Sequence, residues 1–278
     1  MSGAAFEGLE QALSDEGMAE SYEPGSRIDM SGLAEALVAP YADDTLIDMA
    51  IMQPFIMPEK YLTEGKNVLA AILKPRIGEG FDPTMLLDDV VHLLSGLPYT
   101  PLHSTFPHLL LDPLVQSLYD VGYNNFLVDL SQLPTTPANM AHFLRGEQKR
   151  PLLVKYLGDV SHAIGLRLRH ARLEHDGSLV GEAPSIGYGS EMSQFILHGE
   201  TERAGGGARG CVFHFLREDH LPVQRKPRNH GCSFYSGKLA LPRKELERDG
   251  SILSQVASFA QRNRYYSGKD GAWKEVRP

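Results

Sequence analysis

Thiol and imidazole side chains occur close together in the C-terminal half of the chain, as Cys211, His214, His230 and Cys232. Thiolate and imidazole are preferred ligands of zinc. The C-x2-H and H-x-C spacings match no common structural zinc site, so the competing interpretation is two buried thiols and two surface histidines. We expect no cofactor, with zinc as the alternative. These two cysteines are also too few to indicate a disulfide framework.

Acidic and imidazole groups follow one another between residues 174 and 198. They are Glu174, His175, Asp176, Glu182, Glu191 and His198. Carboxylates on one face can act as general acid and base, as glycoside cleavage requires. Charged residues on outward faces also keep a protein in solution, and the sequence has no Gly-x-Ser-x-Gly elbow, phosphate loop or His-Glu-x-x-His motif. Catalysis is therefore the less favoured interpretation.

Basic residues form two clusters. They are Arg167, Arg169 and Arg172, then Arg225, Lys226 and Arg228. Strand alternation would place the first two on the same side, which predicts a basic stripe suited to phosphate groups, acidic lipid or acidic protein. The pI of 5.8 and the few interleaved aromatic residues argue against nucleic acid.

The charge of the chain is unevenly distributed. The net charge of −8 divides into −14 for residues 1–145 and +6 for residues 146–278. The basic residues could therefore meet the acidic half of the same chain, or of a second copy, instead of a foreign polyanion.

Three glycines, Gly205, Gly207 and Gly210, satisfy the G-x-G-x-x-G pattern of dinucleotide sites. That chemistry needs a helix to begin at the glycines, so that a phosphate meets the helix N-terminus. The next segment, CVFHFL, is typical of a strand. We therefore predict a backbone corner here and no pyrophosphate site.

One short pattern recurs five times between residues 152 and 237. The segments are LLVKYLG, ARLEHDG, SQFILHG, GCVFHFL and GCSFYSG, and their ends lie 19, 22, 17 and 21 residues apart. Short strand-like runs at such intervals predict the stacked turns of a parallel solenoid. In this register Ile196, Phe213 and Phe234 stack, Cys211 stacks on Cys232, and Lys155 opposes Glu174, which fits less well.

The run GSLVGEAPSIGYGSEMSQFILHGETERAGGGARGC resembles the GXGXG-type β-solenoid, which is found at the C-terminus of glutamate synthase and in formylmethanofuran dehydrogenase. The resemblance covers about 85 residues and rests on repeat spacing and glycine placement. It implies a structural support and assigns no catalytic residue. Leu216 departs from it, because glycine is expected there. The alternative geometry is the hexapeptide helix of acyltransferases, for which Val180-Gly181 and Ile186-Gly187 have the six-residue spacing and Ile164-Gly165 is an isolated instance.

Helix signals surround the repeats. Asp82 with Pro83, Asp112 with Pro113, and Thr136 with Pro137 each predict a helix start, because a capping residue precedes a proline. The last of these helices, ending near Arg145, would cap one end of the solenoid, and a helix from about Asp249 would cap the other. Alternation through Phe126, Val128 and Leu130 predicts a strand.

The sequence therefore predicts an α+β fold, with a helical N-terminal region followed by a small parallel β-solenoid (a single-stranded β-helix) with helical caps. The expected parts are a flexible acidic arm (1–28), a mainly helical region (29–146), the solenoid (147–240), and a capping helix with a polar tail (241–278).

The favoured function is non-catalytic scaffolding, with a protein partner or a second copy of the chain. The alternatives are an enzyme that uses the solenoid surface (a hexapeptide-type acyltransferase or a carbohydrate-active enzyme) and polyanion binding. Neither a secretion signal nor a membrane-spanning run is recognisable, so we expect a cytoplasmic location and no membrane contact.

Overall fold

The computed structural model describes residues 81–96, 106–199, 201, 203–217, 229–242, 263–269 and 271–276. The expected acidic arm, the helices expected before residue 81, and the capping helix near residues 249–260 lie outside these ranges. The chain divides into two compact units, Met1–Val128 with Gln132–Pro137, and Asp129–Ser131 with Ala138–Pro278.

The first unit contains two described helices. Helix α1 spans Pro83–Gly96, and the backbone N–H of Thr84 donates to Asp82 Oδ1 at 2.8 Å, so the predicted cap is confirmed. Its predicted apolar stripe is buried. Helix α2 spans Phe106–Asp120 and begins earlier than predicted, with Pro113 inside it. The apolar residues before Asp112 continue the helix in the N-terminal direction, so Asp112 is buried and does not cap it.

Strand β1, Asn125–Asp129, confirms the predicted strand, and a short 3-10 turn follows at Leu130–Gln132. The helix predicted from Pro137 to Arg145 is wrong. Residues 138–140 form strand β2, Ala138–Met140, in which every residue is buried. Its apolar residues had indicated a helix because a fully buried strand also shows a continuous apolar run.

The second unit is a parallel β-solenoid of about four turns, which confirms the coarse fold prediction. Its strands are β3 Leu152–Leu157, β4 Val160–Ile164, β5 Ala171–Asp176, β6 Leu179–Ile186, β7 Gln194–Leu197, β8 Arg203–Ala204, β9 Val212–Phe215, β10 Ser233–Ser236, β11 Arg264–Lys269 and β12 Ala272–Val276. The first sheet of the solenoid runs β3-β5-β7-β9-β10-β11-β12, and the second runs β2-β4-β6-β8. All five predicted segments are strands of the first sheet.

A third face is built from single parallel bridges between successive turns. They join Arg145 to Arg169, Arg169 to Glu191, Glu191 to Arg209, and Arg209 to His230. Each turn therefore contributes to two sheets and to this third face. Because every strand stacks on the equivalent strand of the next turn, backbone groups pair between turns, about 4.8 Å apart.

An aromatic column fills the interior of the first sheet. The rings of Phe195, Phe213, Phe234 and Tyr265 stack in succession at centroid distances of 4.9, 4.9 and 4.8 Å. The predicted stacking of Phe213 on Phe234 is confirmed, but the prediction for Ile196 is wrong, because Ile196 pairs with His214. The fourth segment was ended one residue early, at Leu216, which shifted its register against the third.

Glycines permit close approach of successive turns. A Cβ on Gly177 would collide with the Gly158 carbonyl, and a Cβ on Gly199 would collide with the Gly177 carbonyl. At two other glycines, Gly165 and Gly187, φ is +76° and +70°. These follow Ile164 and Ile186, which are direct partners in adjacent turns, so the proposed hexapeptide spacing is not the repeat of the structure.

The outer surface of the first sheet is apolar near its C-terminal end. Trp273 packs edge-on against Tyr235 with ring centroids 4.9 Å apart, and its Nε1 donates to the Ala240 carbonyl at 3.0 Å. Val212 and Leu241 complete this small cluster. In the described part of the chain, neither helix combines the length and the apolar character needed to span a membrane.

Candidate functional site

The four residues considered for zinc are used separately. Cys211 and Cys232 are fully buried and free, and the Cys211 thiol donates to the Ser190 carbonyl at 3.4 Å. Burial raises the pKa of the Cys211 thiol, which opposes the thiolate that a metal would need. His214 Nε2 donates to the Gly237 carbonyl at 2.8 Å, whereas His230 is exposed. Among the described residues, no group of three or more potential ligands converges.

The G-x-G-x-x-G run forms the predicted corner between β8 and β9. Gly205, Gly207 and Gly210 all have positive φ, and no helix begins there. The side chain of Asn229 from the next turn closes this corner. Its Oδ1 accepts from the N–H groups of Gly206 and Ala208 at 2.6 and 3.1 Å.

The same solution recurs at other corners of the solenoid. Ser190 Oγ accepts from the Leu168 N–H at 2.9 Å and donates to the Gly165 carbonyl at 2.8 Å. Asn263 Oδ1 accepts from the Cys232 N–H at 3.1 Å. These polar side chains satisfy backbone groups that the turning chain leaves unpaired.

The basic residues divide between faces. Arg172 lies exposed on β5 of the first sheet, whereas Arg169 belongs to the third face. Arg167 lies at a corner with φ of +53°, and its guanidinium carbon is 5.6 Å from the centroid of the Phe143 ring. The predicted stripe through Arg167 and Arg169 on one strand is therefore wrong. Arg225, Lys226 and Arg228 lie outside the described residues.

Four ionisable side chains come together on the outer surface of the first sheet, in what we call the Glu174 cluster: Lys155, Glu174, Asp176 and His198. Glu174 Oε1 accepts from Lys155 Nζ at 2.9 Å and from His198 Nε2 at 3.1 Å. Asp176 is more distant, at 4.0 Å from Lys155 Nζ and 3.9 Å from His198 Nδ1. The carboxylate of Glu174 thus links residues from three successive turns.

The hydrogen bonds of the Glu174 cluster stabilise its charged forms. The bond to Glu174 raises the pKa of Lys155. Burial alone would raise the pKa of Glu174, but hydrogen bonds from Lys155 and His198 outweigh it, so this pKa is lowered. An imidazole held by an ionised carboxylate is an arrangement that can accept a proton from a bound molecule. It is equally a cross-strand ion pair of the kind that stabilises sheets.

The other members of the predicted acidic and imidazole group lie elsewhere. His175 points into the interior, where its Nε2 donates to the Gly158 carbonyl at 2.9 Å, and burial lowers its pKa. Glu182 lies within β6, and Glu191 belongs to the third face.

Sequence reasoning missed Lys155 as a site residue, because its position opposite Glu174 was judged a poor fit. Opposite charges on facing residues are favourable, and that signal was available once the pairing was predicted. Arg145 and Arg209 were also missed, because third-face residues have no strand pattern of their own.

Comparison with models of known protein families, with curated proteins and with solved structures gave no match. The likeness to GXGXG-type solenoids therefore stays a prediction.

Proposed function

We propose that this protein is a non-catalytic scaffold that presents the faces of its β-solenoid to a protein partner. The observation that carries the proposal is the use of the polar residues inside the turns. Ser190, His175, Cys211, Asn229 and Asn263 all bond to backbone groups of neighbouring turns. Groups committed to holding the backbone are poorly placed to take part in chemistry, and the rigid faces they support suit binding.

Stacked, regular faces also favour this function on physical grounds. A solenoid exposes an extended surface whose side chains repeat at the spacing of its turns. A partner that binds it pays little ordering cost on the scaffold side, because these side chains are already positioned. The resemblance to GXGXG-type supports agrees with a scaffolding role, and we propose a cytoplasmic location for it.

The proposal is tested by affinity capture with the full chain, followed by quantitative mass spectrometry. The control is the full chain with Phe195→Ala and Phe213→Ala, which removes two rings of the aromatic column. We expect at least one protein to be retained in near-stoichiometric amount by the wild type and lost with the control. Recovery of the chain alone from every lysate fraction would contradict the proposal.

The Glu174 cluster supports a second candidate function, an enzyme acting at the surface of the first sheet. His198 is about one-third exposed and hydrogen-bonded to Glu174, which would orient it as a general base for acyl transfer or hydrolysis. Assays with p-nitrophenyl esters and glycosides test this. Turnover that disappears in His198→Ala and persists in His230→Ala would favour the enzyme over the scaffold.

A further inference from the structure

The third face presents a charged row that no predicted site included. We define the arginine ladder as Arg145, Arg169, Glu191, Arg209 and His230, which follow one another in successive turns. The residue before each of them is buried, and these are Leu144, Leu168, Ser190, Ala208 and Asn229. The alternation therefore directs the ladder side chains outward from a rigid backbone.

The charges of the ladder are fixed by contacts within it. Glu191 Oε2 lies 2.9 Å from Arg169 Nη2, and Glu191 Oε1 lies 3.7 Å from Arg209 Nη1. The Arg169 and Arg209 side chains still expose 51% and 50% of their surface. One carboxylate thus positions two guanidinium groups and leaves much of each accessible.

We propose that the arginine ladder binds an extended acidic segment of a protein partner. This inference rests on the scaffold function proposed above and assigns its binding face. At about 4.8 Å per turn, the five positions span about 19 Å, which is the length of roughly six extended residues at about 3.3 Å each. Guanidinium groups bind carboxylates through paired hydrogen bonds, so three arginines along this line suit several acidic side chains.

The pattern of charges favours a polypeptide over a nucleic acid. Glu191 interrupts the row of arginines, so a continuous phosphate backbone would bring a negative group against it. A peptide can place an uncharged or basic residue at that point and acidic residues on either side. The chain also carries a net charge of −8, which weakens general attraction for long polyanions.

The test is fluorescence anisotropy with the full chain at low ionic strength. The probe is a fluorescein-labelled peptide of twelve glutamates, and its uncharged counterpart has twelve glutamines. We expect saturable binding of the glutamate peptide, weakened by salt, and none of the glutamine peptide. The Arg169→Glu/Arg209→Glu variant should bind at least about tenfold more weakly, because two attractive charges become repulsive.

Two further variants separate a ladder effect from a general effect of charge or folding. The matched control is Arg203→Glu/Lys238→Glu, which makes the same change of charge at exposed positions outside the ladder. It should retain binding within about twofold. Glu191→Gln removes the one carboxylate of the ladder and should tighten binding of the glutamate peptide. Thermal unfolding of each variant confirms that it is folded.

Three results would overturn the assignment: equal loss of binding in the ladder variant and the matched control, no binding by the wild type, or tighter Arg169-dependent binding of a labelled twelve-nucleotide thymidine strand. The scaffold proposal fails separately. If a partner captured by the wild type is also captured by Arg169→Glu/Arg209→Glu, the scaffold function stands and the face is wrong. If no partner is captured at all, the scaffold function itself fails.

Discussion

The aromatic column gives the sharpest test of the solenoid register. Phe213 is fully buried and stacks on Phe195 and Phe234, both at 4.9 Å and nearly parallel. Phe213→Ala leaves a cavity between two rings and should lower the free energy of unfolding by about 3–5 kcal/mol. Phe213→Leu fills most of the volume and chiefly loses two ring contacts, each worth about 0.5–1.5 kcal/mol, so it should cost about 1–3 kcal/mol.

The position of each ring in the column sets the size of its effect. Tyr265 is only partly buried and has one ring neighbour in the column, Phe234. Tyr265→Leu should therefore cost about half as much as Phe213→Leu. Tyr188→Leu is the control, because 52% of Tyr188 is exposed, and it should change stability by less than about 1 kcal/mol.

Urea unfolding followed by circular dichroism measures these differences, provided that the slope with denaturant is the same in each variant. The double variant Phe195→Leu/Phe213→Leu adds a direct measure of contact. Its coupling energy should be about 0.5–1.5 kcal/mol, since the two changes remove one shared stack. A coupling energy indistinguishable from zero would refute the register, whatever the size of the single effects.

Three other predictions follow from the interior of the solenoid. Gly187→Ala places a Cβ 2.8 Å from Phe213 Cε1 at a φ of +70° and should destabilise the fold more than Gly207→Ala, which has φ of +81° but no atom within 4 Å of the added Cβ; thermal unfolding compares them, and equal effects would contradict the close approach. Asn229→Ala removes the acceptor shared by the Gly206 and Ala208 N–H groups and should cost about 2–4 kcal/mol in urea unfolding, whereas an effect below about 0.5 kcal/mol would show that the corner does not need it. Burial lowers the pKa of His175 and of His214 from 6.5, so the stability they contribute is complete above pH 6.5 and is lost as pH falls through their folded pKa values. The urea midpoint should therefore fall between pH 7 and pH 5, less steeply in His175→Leu than in the exposed-site control His230→Ala, and an unchanged slope would count against a buried neutral His175.

Much of the fold could be predicted from the sequence because its signals are local. The strand-like runs at intervals near 20 residues predicted all five strands from β3 to β10 in the first sheet, and Asp82 with Pro83 predicted the start of α1. The fourth segment was misplaced by one residue because Leu216 was aligned with the terminal glycines. A one-residue shift reverses which side chains face inward, and Ile196 was therefore expected where Phe195 lies.

Other features could not be predicted because they depend on contacts between turns. The stretch from Pro137 to Arg145 has the capping residue and apolar content of a helix, yet it forms β2 and the first position of the third face. Its strand partner, β4, supplies the backbone hydrogen bonds that decide between the two structures. The arginine ladder has the same origin, because its members are 18 to 24 residues apart and only stacking brings them together.

The Glu174 cluster shows both sides of this limit. The sequence singled out Glu174, Asp176 and His198 as acid and base candidates, and the structure brings these three together. It also adds Lys155, whose ion pair with Glu174 explains a pairing that had seemed unfavourable. His175, adjacent to Glu174 in sequence, faces the interior instead, because successive residues of a strand point to opposite sides.

Hydrogen exchange measured by mass spectrometry or NMR tests most directly whether the polar interior builds a rigid scaffold. The informative amides are the corner N–H groups of Leu168, Gly206 and Ala208, which donate to Ser190 and Asn229 side chains. We predict that they exchange as slowly as the amides of β5, β7 and β9, through the same global opening. Corner amides that exchange rapidly while the strands stay protected would contradict the account, because mobile corners are what an enzyme's binding loops require and a rigid scaffold lacks.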